Sequence, residues 1–142
     1  MRMIDSRTGL EWLERDECLE LLAGEEVGRL AVVVGDAPII VPVNYRMDGE
    51  ALVFRSDDGT KVTHGVRGQV AFEIDQFDRG RQAGWSVVVT GRLEEAGGDG
   101  PEALDRVHRS AVYPWVGGEK PHLLRLVPEH ITGRRVGQMG WS

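Results

Sequence analysis

Residues 38–56 read PIIVPVNYRMDGEALVFRS, from Pro38 to Ser56. Two runs rich in β-branched and aromatic residues flank Asp48-Gly49, a strong hairpin signal. IIVPVNYRM therefore reads as one strand and ALVFRS as its return. Just upstream, VGRLAVVVG (27–35) is another β-branched run, and Gly35-Asp36-Ala37-Pro38 turns the chain between the two. Three strands in close succession, with short turns, set the pattern for the rest.

Downstream, QVAFEID (69–75) and GWSVVVTGRLEEA (84–96) read as two more strands. In the second, Trp85, Val87 and Val89 alternate with Ser86, Val88 and Thr90. That pattern is only partly amphipathic, so both faces are expected to be covered. HLLRLVPEHITGRRV (122–136) gives one or two final strands split by Pro128. Helices are few. EWLERDECLELLAGEE (11–26) places Leu13, Cys18, Leu21 and Leu22 on one face, with Gly24 as its stop. PEALDRVHRSA (101–111) follows the break GGDG with Pro101 at its first position. The expected fold is mainly β: a single antiparallel barrel of six to seven strands over residues 1–142, with a few short helices. Residues 1–12 form an N-terminal segment and 137–142 a tail. Closure into a barrel removes the sheet edges.

Composition narrows the function classes. The 142 residues carry a formal net charge of -6, which argues against a nonspecific nucleic-acid binder. One cysteine, Cys18, allows no intrachain disulfide. No apolar run spans a membrane and no signal-peptide core opens the chain, so a soluble cytoplasmic protein is expected. The four histidines, His64, His108, His122 and His130, show no zinc-site spacing. The loop SAVYPWVGGEKPH exposes Tyr113 and Trp115 to stack on a planar ring or to cover a barrel end. Arg125, and the pair Arg134-Arg135, are candidates to face a cavity, a partner or an acidic substrate. No Ser-His-Asp or Cys-His arrangement emerges, which fits chemistry carried by a cofactor.

SDDGTKVTHG (56–65) has two readings. Asp58 or Thr60 can cap a helix, with Gly59 supplying backbone freedom and Lys61 solvated. Alternatively, the helix start, Gly59, the Thr60 hydroxyl and Lys61 hold a phosphate, assisted by Arg55 and Ser56. Asp57 and Asp58 then point away from the anion. The spacing is not that of a P-loop.

The order of VGRLAVV, PIIVPVNYRMDGEALVFRS, Gly-Thr-Lys, VAFEID and GWSVVVTGRLEE resembles the pyridoxamine 5′-phosphate oxidase-like family of FMN-binding split β-barrels, in particular its short actinobacterial members. The resemblance implies a homodimer with FMN at the interface. Val41, Pro42, Val43 and Asn44 would line the isoalloxazine ring. Arg55, Ser56, Gly59, Thr60 and Lys61 would form the phosphate end, with Lys61 at the phosphate-binding lysine. Trp85 and Ser86 would lie near the flavin. Two departures argue against pyridoxamine phosphate oxidation. Ile39, or a neighbour, stands where those oxidases carry an arginine. ITGRRVGQMGWS does not reproduce their aromatic-and-arginine end. The resemblance implies an oxidoreductase of a small organic molecule, with a nicotinamide or deazaflavin electron donor. F420 and haem are the alternative cofactors, and non-catalytic binding of flavin or haem is the alternative role.

Overall fold

The computed structural model describes residues 3–5, 7–56, 69–95 and 122–137. Nine strands and one helix occur among them. The first described elements form a small hairpin, β1 (Met3–Asp5) and β2 (Leu10–Trp12), where sequence reading placed only an N-terminal segment and the start of a helix. Helix α1 is correspondingly short, Arg15–Ala23. Glu14 precedes it, and its N–H donates to the Glu17 carboxylate at 3.4 Å. Gly24 closes it, donating to Glu20 and Leu21 carbonyls at 3.2 Å. Its φ is -89°, so the stop needs no left-handed residue.

The strands β3 (Val27–Val34) and β4 (Ala37–Asn44) form a hairpin over the two-residue loop Gly35-Asp36. Ala37 and Pro38, expected in the turn, already belong to β4. β5 (Arg46–Asp48) and β6 (Ala51–Ser56) repeat the device over Gly49-Glu50. In both loops the first residue is glycine with positive φ, +64° at Gly35 and +61° at Gly49, and the second is not. That combination matches the strand twist as a type II′ turn does. The run IIVPVNYRM is therefore two strands, broken at Tyr45.

β7 (Val70–Asp78), β8 (Ala83–Glu95) and β9 (His122–Val136) complete the sheet. All pairings are antiparallel, in the order β1-β2-β9-β8-β7-β3-β4, with β6 also pairing β9 and β5 pairing β6. β9 is a single strand. Pro128 does not split it but sits in a bulge: Gly91 pairs with Pro128 and Thr90 with His130, leaving Glu129 as the extra residue. The bulge tolerates a residue without an N–H. One edge of β9 serves two neighbours, β6 along residues 122–126 and β2 at Arg134 and Arg135.

The sheet curls around one core. Phe72, Ile74, Val87, Val89, Leu52, Leu124 and Leu126 fill it, and α1 adds Cys18 and Leu22. The alternation expected in β8 holds on one face only: Trp85, Val87 and Val89 are buried, whereas Ser86, Val88 and Thr90 are half-buried. Helix and sheet meet at Gly133, where an added Cβ would lie 2.6 Å from Cys18 Sγ. Burial and the nearby Glu17 push the Cys18 thiol above its ordinary pKa, as suits an inert core residue. Tyr45 closes the corner between β4 and β5. Its hydroxyl donates to the Leu22 carbonyl at 2.5 Å, and its ring meets Phe72 edge-on at 4.8 Å between centroids. Phe72 in turn fills the space over Gly28, where a Cβ would be 2.1 Å from its ring. The expected helix at 101–111, the aromatic loop at 110–121 and the segment 138–142 lie outside the described residues.

Replacing Tyr45 with Phe removes one buried hydrogen bond and should cost about 0.5–1.5 kcal/mol of unfolding free energy in urea. Gly28→Ala, which forces a methyl into the Phe72 ring, should cost about 1–3 kcal/mol. Equal stability of either variant with the wild type would contradict the packing described.

Candidate functional site

β4 is an end strand of the sheet. Its register sets which residues point where. Leu30 pairs with Val41 and Val32 with Ile39, while Arg29 pairs with Pro42 and Ala31 with Ile40. Directly opposed residues share a face, so Ile39 and Val41 lie on the Leu30 face and Ile40 and Pro42 on the other. All remain open: Ile39 is 40% exposed, Ile40 68% and Val41 39%. Val33 and Val34 on the neighbouring strand are exposed too. Among the described residues no strand pairs with the outer edge of β4, which is apolar on both faces.

Val43 and Asn44, at the far end of β4, are half-buried. Beyond them the Tyr45 corner turns the chain into β5 and β6, and β4 and β6 touch. Arg46 pairs with Val53, so the end of β4 and the Arg55–Ser56 end of β6 lie toward the same side of that corner. Arg55 is half-buried opposite Leu123. β4 and β6 thus approach each other, with the Asn44 end of β4 and the Arg55 end of β6 on one side of the corner. Gly59, Thr60 and Lys61, with Asp57, Asp58 and His64, lie outside the described residues. Trp85 and Ser86 project to opposite faces of β8. Trp85 is a core side chain at 6% exposure, whereas Ser86 opens on the outer face beside Asp75 and Arg134.

Sequence reading passed over a charged cluster on that outer face. Arg29 Nη1 donates to Glu73 and to Asp75, each at 2.8 Å. The alternation in VAFEID already puts Glu73 and Asp75 on one side. What it cannot give is the register that sets Arg29 opposite Glu73. Partial burial, then the hydrogen bond and charge of Asp75, push the Glu73 carboxyl up to about 7, and Arg29 only partly offsets this. A cavity of about 720 Å3 opens beside the cluster, between the end of α1, β3, Pro42 and β7. Glu25, Glu26, Arg29, Asp75 and Gln76 give it a polar wall, and Gln76 donates to Glu25 at 2.7 Å. Its volume suits a small organic molecule. Arg125, expected to face a cavity or partner, pairs with Asp48 at 2.6 Å. Arg135 faces Glu11 at 3.9 Å.

A curled antiparallel sheet with an open apolar edge strand, a small polar cavity and a basic residue at the strand end defines a split barrel of the pyridoxamine 5′-phosphate oxidase kind. The sequence model of the pyridoxamine 5′-phosphate oxidase family matches residues 14–135, and the chain belongs to that family. An uncharacterized protein of Mycobacterium tuberculosis is 35% identical over 130 residues, covering 87% of this chain and 84% of its own. Among solved structures, a Corynebacterium glutamicum protein assigned to the pyridoxamine 5′-phosphate oxidases superposes with a TM-score of 0.77 at 30% identity, over 91% of this chain and 99% of that one. The FAD binding protein of Mycobacterium smegmatis gives 0.63 at 29% identity, over 89% and 97%.

The Glu73 cluster predicts a pH dependence. The folded pKa lies above the reference value of 4.5. Between that value and about 7, the folded protein holds more protons than the unfolded chain. The contribution of this group to stability is therefore present at acid pH and lost as pH rises through the window. Against Glu73→Gln, which keeps a neutral side chain throughout, the wild type should lose ground in urea midpoint across this window and then level off. A gap between the two that is constant with pH would refute the assignment.

Proposed function

We propose that the protein is a flavin-dependent oxidoreductase of a small organic molecule, working as a homodimer with the flavin held between subunits along β4. The observation that carries this reading is the β4 strand itself, with Ile39, Ile40 and Val41 exposed on an edge that no other described strand pairs. A planar isoalloxazine ring and a second copy of the chain are together the bodies that such a strand fits. Val41, Pro42, Val43 and Asn44 present backbone and apolar surface to the ring. Arg55 and Ser56 lead into Gly59, Thr60 and Lys61, which supply a charge-assisted phosphate site. FMN is the first expectation, because this segment suits one terminal phosphate. FAD is its rival, since the similar Mycobacterium smegmatis structure is of an FAD binding protein.

A bound flavin would supply hydride and electron transfer. The chain's own contribution is position and exclusion of water. The cavity beside Pro42 would admit the substrate, with Arg29, Asp75 and Glu26 choosing among polar groups. A nicotinamide or deazaflavin donor would return the electrons. Nothing in this reading requires nucleic acid or a membrane, and no described helix is long and apolar enough to cross one.

The visible spectrum of the purified protein, with the mass of whatever it releases on denaturation, tests the cofactor. Flavin bands at one per chain are expected. A Soret band, or tight F420 binding with refusal of both flavins, would overturn the choice. Lys61→Ala should weaken FMN binding by roughly 1–3 kcal/mol, as loss of a charge-assisted hydrogen bond does. Asp57→Asn should change it little. Ile40→Glu should yield a monomer by light scattering and lose flavin with it; a flavin-loaded dimer would place the interface elsewhere.

A further inference from the structure

The β3–β4 register runs without a shift from Val27 opposite Asn44 to Val34 opposite Ala37. Beyond it the Tyr45 N–H donates to the Glu26 carbonyl at 3.0 Å, continuing the ladder by one pair. Antiparallel partners alternate between pairs that exchange hydrogen bonds and pairs that exchange none. Stepping back by twos from Tyr45, the backbone groups of Val43, Val41, Ile39 and Ala37 therefore bond to β3. The two-residue hairpin requires the same phase, because the pair that closes it, Val34 and Ala37, is a bonded one. Pro38, Ile40 and Pro42 then direct their backbone groups away from β3, toward the edge that no other described strand pairs.

Two of the chain's six prolines thus stand on one edge, on either side of Ile40. Proline is tolerated there because the β3 ladder does not call on its nitrogen. The outward groups at positions 38, 40 and 42 are carbonyls at all three but an N–H at Ile40 alone. The edge is otherwise open to another chain. Ala37 to Pro42 are all exposed, and APIIVPVN carries no charge. Exposed Val33 and Val34 extend the apolar surface onto β3. A long, apolar, uncharged edge is a template for strand addition. The prolines remove the donors that addition needs. With two copies of β4 laid antiparallel about Ile40, the central rung joins Ile40 to Ile40. The rungs on both sides set Pro38 against Pro42, and neither residue has an N–H to give. Parallel addition meets the same missing donors.

We propose that Pro38 and Pro42 close the β4 edge to strand addition, so that a second copy of the chain meets this edge through side chains and not through a shared ladder. The placement matters as much as the residue type. A single proline leaves a run of complete rungs on one side of it, whereas prolines flanking Ile40 leave no two neighbouring rungs complete across 38–42. The second copy is that of the reading given above, but the closure itself requires neither that copy nor a flavin.

Pro38→Ala/Pro42→Ala restores both donors while removing apolar bulk, so a gain in association comes from the backbone. Pro128→Ala is the control, because it restores an N–H at a bulge within the sheet, where β8 already lies alongside. Light scattering over a concentration series reads the mass, thioflavin T fluorescence reads ladder growth and circular dichroism reads folding. Pro128→Ala should follow the wild-type mass. The double variant should shift to larger mass and gain thioflavin T signal, and each single variant should do so by less. Adding Ile40→Lys to the double variant should bring the mass back to the wild-type value or below, since a lysine on an edge strand opposes pairing. A double variant that follows the wild type, an equal shift in Pro128→Ala, or a shift that Ile40→Lys leaves in place overturns the proposal. If the double variant does not fold, Pro42→Ala alone carries the same comparison. The visible spectrum of the same samples is read separately, and the expected shifts in a protein without flavin would uphold the closure while rejecting the flavin reading.

Discussion

The Tyr45 side chain sets the geometry on which the rest depends. It sits where β4 must stop and β5 must begin, and it is buried to within a few per cent. Its hydroxyl is tied to the end of α1, its ring to Phe72 in β7, and its backbone N–H to Glu26 at the head of β3. Burial, with the nearby Glu25, raises the phenol pKa, so the hydroxyl stays a donor at any physiological pH. Helix α1, β3 and β7 are thus tied at one residue to the corner between β4 and β5. A misplaced corner would let β5 continue β4, and β6 would lose its approach to β9.

That corner also shapes the site. Because the chain turns sharply at Tyr45, the apolar part of β4 is left at an edge rather than enclosed by β5. The exposed strand and the Arg55 end of β6 then face a common region. Stability and function draw on different faces of the same elements. The inner face of β3 and β7 carries Leu30, Phe72 and Ile74 in the core, and the outer face carries Arg29, Glu73 and Asp75 around a polar cavity. A substitution on one face can therefore leave the other largely intact, which suits a fold that keeps its barrel while its pocket varies.

Much of this is written in local chemistry. Gly35 and Gly49 mark both hairpins, and the β-branched runs mark β3, β4 and β6, because turns and strands depend on neighbours a few residues away. Cys18 and Leu22 announce the buried face of α1 by spacing alone. Trp12 shows the limit. Next to Leu13 it reads as the start of an amphipathic helix, yet it joins a strand, because the open edge of β9 beyond β6 offers backbone partners 120 residues away. Pro128 reads as a break for the same reason: only the register against Gly91 reveals a bulge. The Arg29 cluster needs that kind of information too. Of the cofactor segment, the local sequence supports capping and phosphate binding alike, and only the order of surrounding motifs favours the second. Of that segment the structure describes Arg55 and the backbone of Ser56, while Gly59 to Lys61 lie outside the described residues.

β9 has one further consequence, which concerns the order of synthesis. It forms one side of β8 along most of its length and is the only described strand that joins β6 and β2 to the remainder of the sheet. A ribosome delivers it after every other described strand. Until it emerges, β6 and β2 have, among the described residues, no partner strand beyond their own small hairpins, and the core lacks Leu124 and Leu126. The described sheet is thus joined up by β9, and until β9 emerges the growing chain must hold its apolar segments apart from one another and from those of neighbouring chains.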